Sequence, residues 1–70
     1  MKQVKNFFLN NEKYTIDTDI TLSDLITYFD YNESLLVLEY NQVIFNKTHW
    51  KKTLIQDLDE IEIVTIVGGG

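Results

Sequence analysis

Seventy residues with a formal charge of −5 and no cysteine set tight limits. A chain this short buries roughly 60% of its unfolded surface, enough for one core but not for a core plus a deep catalytic cleft. Without Cys there is neither a disulfide framework nor a thiolate metal site. An acidic chain repels phosphate backbones, so nucleic acid is not an expected partner. No apolar run approaches the ~20 residues that span a bilayer, so no membrane segment is expected either. The 44% hydrophobic content, with four Phe, four Tyr and one Trp, is that of a folded domain. The negative charge has two readings: it steers the protein toward a basic surface, or it only keeps a small domain dispersed. Usage rich in Ile, Asn, Lys, Tyr and Phe, with no Pro and no Ala, is what AT-rich coding favours.

In chain order, residues 4–9 read as a first strand. Asn10-Asn11-Glu12 is turn chemistry, because Asn tolerates left-handed backbone angles. Residues 13–17 alternate, with Tyr14 and Ile16 on one face, so the two runs form a hairpin. Residues 21–30 predict the one main helix. Thr21 and Asp24 fit a capping box, and Leu22, Leu25, Ile26 and Phe29 fall at i, i+3, i+4 and i+7. Residues 35–40 are a dense apolar run, read as the central strand with Leu36, Leu38 and Tyr40 inward and Glu39 outward. Asn41-Gln42 predicts a tight turn into a short strand over 43–45. Residues 46–50 read as irregular, with Trp50 covering one edge of the core. Asp57-Leu58-Asp59 turns the chain into a last strand over 60–67, with Ile61 and Ile63 inward and Glu62, Val64 and Ile66 outward. A single amphipathic helix needs a sheet to bury its stripe. This strand, strand, helix, strand, strand, strand order therefore predicts an α+β, β-grasp domain over 1–67: a mixed sheet of four to five strands with one helix packed across it. Residues 68–70 form a flexible tail.

The chemistry-bearing feature is that tail, Gly68-Gly69-Gly70, directly after the last strand. Three glycines reach ~10 Å at up to about 3.6 Å per residue. With no Cβ they thread a narrow channel and leave the terminal carbonyl carbon open on both faces. Ordering such a tail costs entropy that docking elsewhere must offset. Val64 and Ile66, with Glu62 beside them and Asp59 in the preceding turn, are the candidate docking group. Outward apolars also occur as ordinary surface or beneath another segment, and the pattern does not choose between these readings. His49 has no Ser, Cys or His partner and reads as a surface or turn residue. Asp57, Asp59, Glu60 and Glu62 read as a solvated acidic turn rather than a metal site, meeting basic groups of a partner at most. No bound cofactor or metal is expected.

Taken together, these pieces resemble the ThiS family of thiamine-biosynthesis sulfur carriers from about Phe7 to Gly70. The matching parts are Phe8-Leu9-Asn10-Asn11, Thr21-Leu22-Ser23-Asp24-Leu25, Asn41, Trp50, Asp57-Leu58-Asp59-Glu60-Ile61, Ile63-Val64 and the terminal Gly-Gly. Where the family has Gly between the two acidic turn residues, this chain has Leu58. Leu disfavours positive φ, which predicts a rebuilt turn. Asn46-Lys47 stands where the family often has Pro-Arg, and the chain begins about four residues early.

The resemblance implies a carrier rather than an enzyme. A ThiF-type adenylating enzyme, using ATP-Mg²⁺ in trans, would activate the carboxylate of Gly70. A sulfur donor from the cysteine-desulfurase pathway would convert it to a thiocarboxylate. Thiazole synthase would then receive the sulfur. The free carrier is expected to be a monomer in the cytoplasm, or in the plastid stroma if plastid-encoded. Three rivals share the fold: the small subunit of molybdopterin synthase, a ubiquitin-like modifier joined to Lys, and an interaction module with an inert tail.

Overall fold

The computed structural model describes residues 3–66. Its elements are β1 (Lys5–Leu9), β2 (Glu12–Ile16), α1 (Leu22–Tyr28), β3 (Leu36–Tyr40), β4 (Val43–Ile44) and β5 (Glu60–Thr65), with short 3-10 turns at Glu33–Leu35 and Lys47–Lys52. The five strands lie in the order β2-β1-β5-β3-β4. β1 and β5 are parallel, and the other neighbours are antiparallel. The expected β-grasp order is therefore present.

Two asparagine-led turns set the hairpins. Asn10 and Asn11 have φ of 50° and 67°, and Asn41 and Gln42 have φ of 51° and 70°. Paired positive φ values twist the chain in the sense a two-residue hairpin needs. α1 begins as the sequence predicts. The Thr21 hydroxyl accepts from the Asp24 N–H at 3.1 Å, and the Asp24 carboxylate accepts from the Thr21 N–H at 2.9 Å. The helix is shorter than its pattern, ending at Tyr28 with Phe29 as its cap.

The core forms where one face of the sheet meets α1. Phe7 and Leu9 from β1, Leu36 and Leu38 from β3, and Ile61 and Ile63 from β5 pack with Leu22, Leu25, Ile26, Trp50 and Ile55. Trp50 goes further than expected. It lies on a 3-10 turn instead of irregular chain, sits inside the core at 3% exposure, and donates its indole N–H to the Phe45 carbonyl at 3.1 Å. Burying an aromatic ring while satisfying its N–H is a strong anchor for a small domain.

Two further expectations are corrected. The central strand is β5, not the apolar run at 35–40: β5 pairs with β1 on one side and β3 on the other. Leu35 is not in the strand at all; it closes the preceding 3-10 turn, exposed. The turn at Leu58 is not rebuilt either. Leu58 takes φ of 69°, because its N–H donates to the Asn6 carbonyl at 2.6 Å and Asn6 N–H donates to the Asp57 carboxylate at 2.7 Å.

Candidate docking face beside the last strand

β5 is the strand that precedes residues 67–70 in the sequence, so what fixes β5 fixes the end of the described chain. Main-chain bonds hold its start to β1: Phe8 N–H to Asp59 C=O at 2.8 Å and Asn10 N–H to Ile61 C=O at 2.9 Å. Two turn asparagines then extend the grip. The Asn10 side-chain oxygen accepts from the Ile63 N–H at 2.8 Å, beyond the end of β1. The Asn41 side-chain oxygen accepts from the Glu60 N–H at 2.8 Å, while its own N–H donates to the Glu60 carbonyl at 2.7 Å. Sequence reading marked both residues as turn formers and missed this second role. The available signal was that Asn, unlike Gly, brings a carboxamide to a positive-φ position.

Asp59 is the clearest departure among the expected site residues. It is 6% exposed and therefore lies outside any docking surface and outside a solvated turn. Its carboxylate accepts from the Tyr40 hydroxyl, from Asn41 Nδ2 at 3.2 Å and from the Gln56 N–H at 2.7 Å. A buried carboxylate with three donors is satisfied; here it ties the turn before β5 to the end of β3. Burial, then the hydrogen bond to Asp59, then the Asp59 charge push the Tyr40 phenol above its ordinary value.

Glu62, Val64 and Ile66 do share the outer face, and all three are exposed. Register brings others beside them: Phe8 lies opposite Glu60, Glu39 opposite Glu62, and Val37 opposite Val64. Ile44 sits across from Glu39 on β4. The face is graded along β5. Near its start, Glu39, Glu60 and Glu62 line a hollow of about 450 Å³ together with Phe8, Asn11 and Gln42. Toward its end the face becomes apolar at Val37, Val64 and Ile66.

Glu39 and Glu62 are directly opposed like charges, an arrangement that destabilises a sheet. Among the described residues the ion pairs are Lys5–Asp19 and Lys47–Glu33, so neither glutamate is neutralised there. The four-carboxylate turn is thus divided. Asp59 is buried, Asp57 accepts from the Asn6 N–H, and only Glu60 and Glu62 join the face. No group of three His, Asp or Glu is placed to hold a metal among the described residues. His49 is exposed against the Phe45 ring, 5.6 Å between centroids. Residues 68–70, the expected reactive tail, lie outside the described residues.

Comparison with known proteins gives one direction. The model of the ThiS family matches residues 3–70. An uncharacterized protein ycf40 of Trieres chinensis is 58% identical over 66 residues, covering 94% of this chain and 90% of its own. The sulfur carrier protein ThiS of Bacillus subtilis (strain 168) is 34% identical over 58 residues, covering 83% and 86%. The crystal structure of a thiamine biosynthesis protein (ThiS) from Geobacter metallireducens superposes with a TM-score of 0.77 at 20% identity, over 93% of this chain and 99% of that one. That likeness establishes the β-grasp fold. No helix among the described residues is long and apolar enough to cross a membrane.

Proposed function

Because the chain belongs to the ThiS family, we propose that it is a sulfur carrier for thiazole formation in thiamine biosynthesis, with Gly70 as its reactive end. ThiS-type carriers are small ubiquitin-like proteins on which other enzymes act. In this reading an oxygen of the Gly70 carboxylate attacks the α-phosphorus of ATP on a ThiF-type enzyme, and pyrophosphate leaves. Persulfide sulfur from a cysteine-desulfurase route then attacks the acyl carbon, AMP leaves, and an acyl disulfide forms. A second thiol cleaves that S–S bond and releases the C-terminal thiocarboxylate for thiazole synthase. Activation turns a poor acyl donor into a good electrophile.

The observation that carries the reading is the position of β5. The strand leading to residues 68–70 is the central one, bonded on both sides and clamped by Asn10 and Asn41. A rigid base lets a side-chain-free tail enter a partner's site at a fixed place. The graded outer face supplies docking: Val64 and Ile66 offer apolar contact, and Glu39, Glu60 and Glu62 offer complementarity to a basic surface. Among the relatives, the name carried by the Bacillus subtilis protein, sulfur carrier protein ThiS, supports the carrier reading. The ycf40 names of others support a plastid stroma setting.

The test is intact mass after incubation with a ThiF-type enzyme, ATP-Mg²⁺ and a sulfur source. Exchange of one oxygen for sulfur on the Gly70 peptide is expected. An unchanged mass, with the enzyme active on its own carrier, refutes the proposal. Co-purification with thiazole synthase separates the thiamine role from the molybdopterin one, which predicts capture of the molybdopterin synthase large subunit.

A further inference from the structure

The docking face above uses the outer surface of the sheet. A second feature lies on the helix side, at the far edge. β2 is an edge strand. β1 spends its even-numbered positions on the β5 side, as shown by Leu58 N–H to Asn6 C=O, Phe8 N–H to Asp59 C=O and Asn10 N–H to Ile61 C=O. Its odd positions Lys5, Phe7 and Leu9 therefore bond their partners Ile16, Tyr14 and Glu12. It follows that Lys13 and Thr15 direct their backbone N–H and C=O groups to the open edge. Among the described residues no strand pairs with that edge, and an edge of this kind is a template for one more strand.

Directly beside that edge, between β2 and α1, runs a groove of about 410 Å³. Its walls are mainly Tyr14, Ile16, Ile20, Leu25, Tyr28 and Phe29. Tyr28 is 81% exposed although it follows the buried turn of the helix, and its ring meets Phe29 edge-on at 5.1 Å. Tyr14 in turn meets Phe29 at 5.4 Å. The aromatic wall is thus built and braced, yet open. An added strand places every second side chain on the groove side, so edge and groove together fit one extended apolar segment.

Charge decides whose segment it is. Between residues 12 and 31 there are five carboxylates, Glu12, Asp17, Asp19, Asp24 and Asp30, against the single Lys13, with Lys5 of β1 reaching in to pair with Asp19 at 2.8 Å. Lys13 pairs with Phe8 and shares its outer face. Glu12 lies at the Tyr14 hydroxyl, 3.4 Å away, and Asp17 lines the groove. Asp30 follows Phe29 directly. A second copy paired edge to edge would set these carboxylates against their own kind. We infer that the β2 edge and its groove bind an extended, apolar, basic-flanked peptide segment of a partner protein by strand addition. This surface is separate from the outer face at Glu62 and Val64, so a partner seated here leaves that face open.

The probe is a labelled eight-residue peptide with a central Val-Ile-Val-Ile run and Lys-Arg at each end, titrated into the full-length ¹⁵N-labelled chain with no adenylating enzyme present. Expected are saturable shifts at Lys13, Thr15, Leu25, Tyr28 and Phe29, with gained exchange protection at the Lys13 and Thr15 amides and unmoved signals at Glu39, Glu62 and Val64, two and more strands away. N-methylating two alternate amides of the peptide, those on its β2-facing edge, removes two main-chain bonds and should weaken binding about tenfold or more. Replacing its flanks by Glu-Asp should weaken it several-fold, less so at high salt. Thr15→Pro, which removes an edge N–H, should abolish the protection; if that variant misfolds, the N-methylated peptide decides. Absence of shifts, shifts centred on Glu39, Glu62 and Val64 instead of the β2 edge, or equal affinity of the N-methylated peptide overturns the inference. So does the appearance of the same shifts on concentrating the protein alone, which assigns the edge to a second copy. None of these outcomes depends on Gly70 chemistry, so the carrier reading stands or falls separately.

Discussion

Leu58 holds φ of 69° with its side chain 66% exposed. A β-carbon in the left-handed region costs about 1–2 kcal/mol, and here almost no burial of the side chain offsets it. Leu58→Gly removes that strain but gives the unfolded chain more freedom, worth about 0.4–1 kcal/mol. The variant should be more stable by about 0.5–1 kcal/mol, read as a higher urea midpoint at unchanged slope. A fall in the midpoint would show that Leu58 contributes a contact that outweighs its strain. One position further on, Tyr40 and Asp59 act together. A phenol whose folded value lies above its unfolded one, about 10, binds its proton more tightly in the native state. The stability this contributes is complete below pH ~10 and is lost as pH rises beyond it. Tyr40→Phe should therefore flatten the alkaline limb of a stability–pH curve relative to wild type, while weakening the fold at neutral pH by leaving Asp59 short of a donor. Parallel alkaline limbs in the two proteins would contradict this.

At the scale of elements, the β3–β5 pair carries a cost that folding alone does not explain. Glu39 and Glu62 face each other directly, and opposed like charges in a sheet cost a few tenths to about 1 kcal/mol. Glu62→Gln should raise stability by about 0.5 kcal/mol in chemical denaturation and at the same time slow association with the adenylating enzyme, most strongly at low salt. If stability rises and the association rate is unchanged, the glutamates are not docking groups. This pairing also marks the limit of what the chain reveals on its own. The capping box at Thr21 and Asp24, the helix stripe, both asparagine turns and the inward set Ile61 and Ile63 are local patterns, and each could be read from a few neighbouring residues. Strand order is not local. The dense run at 35–40 has the look of a sheet centre, yet centrality belongs to β5 because two distant strands both pair with it. The same holds for Asp59: it and Asp57 are indistinguishable in a turn, and only the arrival of Tyr40 and Asn41 from 18–19 positions away buries one of them. The face around Val64 was half legible, since alternation gives Glu62, Val64 and Ile66 but not Phe8, Val37 or Glu39 across the ladder.

Considered as a whole, the domain divides its work between the two sides of one thin sheet. The helix side holds the core and the β2 groove; the bare side holds the graded face along β5. Nothing in this plan requires the body to move, because both surfaces are already open. The parallel pairing of β1 with β5 has a mechanical consequence. These strands carry the first and last parts of the described chain, and tension applied at the two ends pulls them past each other lengthwise. Leu58 to Asn6, Phe8 to Asp59 and Asn10 to Ile61 must then break together, in shear, rather than one after another as in an unzipped hairpin. In a single-molecule pulling experiment, end-to-end stretching should rupture the domain at a distinctly higher force than pulling the β3–β4 hairpin apart from its turn. A body built this way resists a load applied along its ends and yields more readily to one applied across a hairpin.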